Sequence, residues 1–180
     1  MNLLELLLSG ENGGAMGQLS KNFDLTPDQT QSAVKELIPA LTRGMQKNTA
    51  GDSPGLDELL EALKKGNHSN YLDSPNSLGQ DNTRNDGNDI LGHIFGNKQV
   101  SRDVASRASE RSGISSTILK KMLPIVATMV MGQLGKKILG GGQQVNRANS
   151  GGILSSLLDS DRDGAIWDDL LGMGARAMLR

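Results

Sequence analysis

Three aspartates near the C-terminus carry the clearest chemistry in the chain. In D-S-D-R-D-G, Asp159, Asp161 and Asp163 stand at positions 1, 3 and 5 of a loop whose sixth residue is Gly164. That spacing turns three carboxylates inward while Gly permits the sharp turn, and a cage of hard oxygens suits Ca²⁺. The carbonyl of Ala165 would take position 7, and Ile166 supplies the apolar residue common at position 8. An EF-hand closes its loop with a bidentate Glu at position 12. Here that position is Leu170, and the nearest acids are Asp169 and Asp168. Asp169 is able to close the cage if the exiting helix is set differently. The competing reading is an acidic turn that caps the last helix, with Asp168 and Asp169 complementing its N-terminal dipole. Carboxylates this close repel one another without a cation, which favours metal. A single loop with no paired partner points to a structural or weak site and gives no support for a sensor.

Other chemistry is sparse. His93, in G-H-I-F-G, borders an apolar face, where a lone His packs or caps, and His68 falls in a polar stretch that reads as solvated. Two distant His and no Cys make no zinc constellation. There is no G-x-S-x-G elbow and no Ser with an identifiable base. G-Q-L-G-K-K at 132–137 lacks the phosphate-loop spacing and follows a helix instead of a strand. The expectation is a protein that is not an enzyme. Lys98, Arg102, Arg107, Arg111, Lys120 and Lys121 form the one basic concentration, diluted by Asp103 and Glu110. Arg107 and Arg111 share a helical face, so Arg102, Arg107 and Arg111 are the candidates for a surface tracking a nucleic-acid backbone. No aromatic residue is interleaved for base stacking. A solvated outer face is the expectation, with nucleic acid as the alternative.

The frame that must position these residues follows from composition. A chain of 180 residues is one domain, or one domain with an appendage. It is 36% hydrophobic but only 2% aromatic, so its core is built from Leu, Ile, Val, Ala and Met, with eight Met to fill irregular gaps. A net charge of −1 provides no global field to draw it to nucleic acid. The absence of Cys excludes disulfides, Cys-zinc sites and thiol catalysis. The start, M-N-L-L-E-L-L-L-S-G-E, has no basic region and no cleavage site, and Glu5 sits in its middle, so it reads as a short helix and not a signal peptide. No unbroken apolar run approaches the roughly 20 residues that span a bilayer. A cytoplasmic protein without a membrane span is expected.

Apolar spacing predicts helices throughout. The stretch 114–137 is apolar on nearly every side from Met122 to Met131, and a helix of that kind must be wrapped by others. Ala15, Met16, Leu19 and Phe23 recur at helical spacing. Thr26 caps and Pro27 opens a helix with the stripe Ala33, Val34, Leu37, Ile38, Leu41 and Met45, which Pro39 is expected to kink. Ser53, Pro54 and Gly66 bracket another, striped with Leu56, Leu59, Leu60 and Leu63. Residues 67–88, rich in Asn, Ser, Asp and Gly, read as a disordered linker. Ser101 is the expected cap of a helix carrying Val104, Ala105 and Ala108 and ended by Gly113, and Ser115 caps the central one. With no alternation of period two, the fold class is all-α. The expected organisation is an N-terminal helical half at 1–66, the linker at 67–88, and a C-terminal half of the same domain at 89–139. A Gly-rich joint at 140–152 and a helix–acidic loop–helix appendage at 153–180 complete it. K-E-L-I-P ending at Pro39 and K-K-M-L-P ending at Pro124 suit two related halves around a buried Pro-containing helix, and equally two unrelated helices sharing a short motif.

N-D-I-L-G-H-I-F-G, the following S-R-D-V-A-S-R-A-S-E-R-S-G-I-S, the Pro-interrupted apolar helix and the terminal D-x-D-x-D-G…D-D-L-L-G-M together resemble a bacterial family known as domain of unknown function 937. The resemblance covers nearly the whole chain apart from the linkers, and implies an all-helical cytoplasmic protein with no assigned activity. The combined expectation is a non-enzymatic structural or interaction protein with a Ca²⁺ loop, acting on an unknown protein partner or by self-association. The alternatives are a nucleic-acid-binding module using Arg102, Arg107 and Arg111, or a membrane-surface protein using the Leu-rich N-terminal helix or the Met-rich one.

Overall fold

A computed structural model describes residues 3–8, 13–49, 55–66 and 68–139. Its α-helices follow in order as α1 (Leu3–Leu8), α2 (Gly13–Phe23), α3 (Pro27–Thr49), α4 (Gly55–Lys65), α5 (Ser69–Asp73), α6 (Asp81–Phe95), α7 (Lys98–Ser112) and α8 (Ser116–Leu139), with a 3-10 turn at Pro75–Gly79. Among the described residues there is no strand, so the chain is all-α. The expected joint at 140–152, the appendage at 153–180, and the cap Ser53 with Pro54 lie outside the described residues.

The architecture follows from α8. Every residue from Met122 to Gly135 is buried, which leaves no face for water. A helix apolar all round is stable only when covered all round, and α8 touches each of the other seven helices. Its stretch Ser116–Ile138 is long and apolar enough to cross a bilayer by length and composition. The expectation that no run nears that length counted only its unbroken apolar core. Of its most apolar window, 83% is buried inside the fold, so the neighbouring helices occupy the place lipid would take.

The wrapping helices begin and end where local chemistry dictates. At the start of α3, Thr26 Oγ1 accepts from the Gln29 N–H at 3.2 Å and Gln29 Oε1 accepts from the Thr26 N–H at 3.0 Å. This is a reciprocal capping box, with Pro27 at the position where a missing N–H costs nothing. The expected stripe of α3, Ala33 through Met45, is buried. On its other side Glu36 pairs with Arg111 of α7. Pro39 does not end the helix, which runs on to Thr49. Pro removes the bond to the carbonyl four residues earlier, which belongs to Lys35 in α3 and to Lys120 in α8. Both residues are exposed, so each Pro forgoes its bond on an outer turn of its helix. The two Pro-containing helices otherwise differ, because α3 keeps a polar face and α8 does not.

Two expectations are corrected. Ser101 does not cap α7; Asn97 does, accepting from the Gln99 N–H at 2.8 Å. Gly96, in the left-handed region at φ 64°, ends α6 immediately before it, so the stop and start signals abut and Ser101 lies a turn inside. The expected linker at 67–88 is folded over its described residues, 68–88. It holds α5, the 3-10 turn and the first half of α6. The buried residues of α6 are Thr83, Gly87, Ile90, Leu91 and Ile94, one face at helical spacing. Two of the five are a Thr and a Gly, which reads as polar and broken in a sequence but is a contact surface in space. A Cβ on Gly87 would stand 2.1 Å from the Pro124 carbonyl oxygen and 2.5 Å from its carbon. Helices α6 and α8 therefore meet backbone against backbone, and only Gly fits.

Gly87→Ala is expected to destabilise the fold by roughly 1–3 kcal/mol through overpacking against main chain, although Ala is the better helix former by about 1 kcal/mol. Gly92, further along α6, is the control, because a Cβ added there would meet nothing within 4 Å. Gly92→Ala should stabilise by up to about 1 kcal/mol. Urea unfolding of both variants measures the opposite signs.

Candidate functional site

The predicted calcium ligands Asp159, Asp161, Asp163, Ala165, Asp168 and Asp169 all lie outside the described residues. Among the described residues no three His, Asp or Glu side chains come together as a metal-holding group. The described part of the chain is thus the helical body to which the acidic segment is joined.

The three arginines of the basic stretch sit on α7 but do not act as one surface. Arg111 Nε lies 2.8 Å from Glu36 Oε2, an ion pair that ties α7 to α3. Arg107 is half-buried and engaged. Arg102 is exposed, with Nη1 at 3.5 Å from Gln99 Oε1. At about 3.6 residues per turn, the step from Arg102 to Arg111 ends on the opposite side of the helix. The apolar surfaces expected to serve membrane contact are likewise used internally, since Leu6 and Leu7 of α1 and the Met residues of α8 are buried.

Arg102 instead faces a cleft of about 490 Å³ at the junction of α6, α7 and α8. Each helix contributes residues at about one-turn spacing: Lys98, Ser101 and Arg102 from α7; Asn88, Leu91 and Gly92 from α6; Lys120 and Leu123 from α8. Leu91 and Leu123 are buried and form the floor, while the three cations are exposed at the rim. Among the described residues no carboxylate lines the cleft. Asp103, next to Arg102 in sequence, accepts from Gln99 Nε2 at 2.9 Å. None of the three cations forms an ion pair among the described residues, which places uncompensated positive charge around a concave, partly apolar space. In the sequence Lys98 and Lys120 are only members of a diffuse basic run. Nothing in their spacing signals that they meet Arg102.

The two histidines exchange their expected places. His93 is exposed, its Nδ1 3.8 Å from Glu58 Oε2, and its carbonyl accepts from Asn48 Nδ2 at 2.7 Å. His68, expected to be solvated, is 7% exposed. Its Nδ1 has no hydrogen-bond partner among the described residues. Burial holds its imidazole below the ordinary value, against opposing contributions from the Ala62 carbonyl and the Asp86 charge. The ring stands 6.1 Å from that of Tyr71. The Tyr71 hydroxyl donates to Asp86 Oδ2 of α6. Burial first, then the hydrogen bond and negative charge of Asp86, push the Tyr71 phenol up to about 12. This polar cluster pins α5 to α6 and is built from residues of the supposed linker.

A bundle wound about one apolar helix, with a basic cleft where three of its helices meet, is the class of protein defined so far. The chain belongs to the family described as bacterial protein of unknown function (DUF937), whose model matches residues 5–137. The match takes in the helical body from α1 almost to the end of α8. It stops before the D-x-D-x-D-G tail, to which the resemblance read from the sequence extends. No curated protein and no solved structure matches the chain.

The buried His68 makes stability depend on pH. Its folded value lies below the unfolded 6.5, so the unfolded chain binds the proton more tightly. Stability is then full above that value and falls as pH drops through the folded one. The melting temperature should fall from about pH 7 to about pH 5. His68→Leu should flatten the slope in that window, as followed by circular dichroism. An unchanged slope in the variant would assign the dependence to other groups.

Proposed function

We propose that this protein is a non-catalytic, cytoplasmic interaction scaffold whose helical body carries an EF-hand-like calcium loop. The observation that carries the reading is the placement of Asp159, Asp161 and Asp163 at alternate positions before Gly164, a spacing that converges hard oxygen ligands. The body supports it in a second way. Its apolar surface is spent on covering α8, and its wrapping helices present charged and polar residues outward. Such a surface suits recognition of a protein partner or a second copy through polar contacts. Ala165 contributes a carbonyl ligand, and Asp169, with Asp168 beside it, replaces the bidentate Glu whose position Leu170 occupies. A loop closed by a shorter carboxylate binds calcium weakly, in the range of about 10⁻⁴–10⁻³ M seen for weak extracellular modules.

Trp167, the only Trp of the chain, lies within the loop and reports on it directly. Terbium titrated into the full-length protein under Trp excitation should give sensitised emission that calcium displaces. Asp161→Asn combined with Asp163→Asn should abolish the signal without altering the helical circular dichroism. Silence from the unaltered protein, with no effect of calcium on its melting, would refute the metal site.

A further inference from the structure

We infer that the cleft between α6, α7 and α8 is a binding site for a small phosphate-bearing molecule. Its volume of about 490 Å³ falls within the roughly 300–1,000 Å³ of small-molecule sites. Its cations come from two helices, Lys98 and Arg102 on one face of α7 and Lys120 on α8, and they converge on one concave space. Like charges gathered without a counter-charge repel, and low-dielectric walls focus their field into the cavity. Among the described residues other cations do find carboxylates, as Arg111 does with Glu36, Lys136 with Asp73, Arg84 with Asp81 and Lys65 with Glu61.

The chemistry of the lining selects the ligand class. Three cations are better balanced by a phosphate, which carries about −1.5 to −2 at neutral pH, than by a single carboxylate. Arg102 has the planar fork that binds phosphate oxygens in pairs, and the two Lys act as point charges beside it. Ser101, on the same face, and Asn88 opposite offer neutral hydrogen bonds. The buried floor of Leu91 and Leu123 is apolar. It accommodates the carbon skeleton of an organic phosphate, so the site has room for a small body attached to the phosphate group that the cations hold.

Gly92 makes the proposal testable without touching a charge. It lines the cleft, and nothing stands within 4 Å of a Cβ built on it. Gly92→Leu therefore fills the cavity while leaving Lys98, Arg102 and Lys120 in place. The experiment is calorimetric titration of the full-length protein with pyrophosphate, and with acetate as a singly charged control, at constant ionic strength. Pyrophosphate should bind with one-to-one stoichiometry and acetate should not. Arg102→Gln and Lys120→Gln should each weaken binding roughly tenfold, as expected for losing one charged hydrogen bond. Gly92→Leu should abolish it with the helical circular dichroism unchanged. Absence of pyrophosphate binding would overturn the proposal, as would an equal response to acetate. So would pyrophosphate binding that survives Gly92→Leu, which would mark an open basic surface instead of a pocket.

Discussion

Everything in this fold is arranged around a helix that cannot be left uncovered on any side. An amphipathic helix needs one neighbouring surface, but α8 is buried along its whole middle and needs a complete sheath. Few large side chains are available to make it, because the chain has almost no aromatics. The sheath is therefore built from Leu, Ile, Val and Ala at normal helix spacing, and in places from closer approach. Where α6 crosses α8, Gly87 lies against the main chain of Pro124. Short separation there increases dispersion contact without large side chains. It also confines that position to Gly.

This constraint explains which parts of the structure are legible in the sequence. The stripe of α3 and the buried character of α8 are plain, because both use large apolar residues whose period survives in a linear reading. Thr26 is recognisable as a cap, and Gln29, three residues on, completes the T-x-x-Q spacing of a capping box. The stretch 67–88 misleads because the usual signal lies in large apolar residues. Its contact face in α6 begins with Thr83 and Gly87, and its outward residues are Asn, Asp and Arg. Asn, Asp and Gly are poor helix formers on average, and tertiary packing overrides them. The same polar composition places His68 in solvent on a linear reading and hides its contact with Tyr71. The cleft is illegible for a different reason: Lys120 and Arg102 are brought together by the crossing of two helices, which neither local spacing nor composition encodes.

The functional features thus divide by origin. The calcium reading of Asp159, Asp161 and Asp163 rests on local spacing, which a sequence displays in full. The cleft depends on tertiary assembly, and its lining is positioned by the same helices that cover α8. Lys120 stands where α8 emerges from its sheath, one turn before Pro124 and opposite the end of α6. The close passage of Gly87 by Pro124 fixes the distance between two of the cleft's three walls. Core packing and the geometry of the cleft are one problem in this protein.

The polar first half of α6 is part of the sheath and folds as one cooperative unit with α8. Native-state hydrogen exchange followed by mass spectrometry tests it most directly. Peptides covering 81–95 and 119–135 should share slow exchange and lose protection together as denaturant is raised, because neither helix survives without the other. If peptides from 81–95 exchange as fast as an unfolded chain while 119–135 stays protected, the stretch is a linker after all, and α8 must be covered by something else.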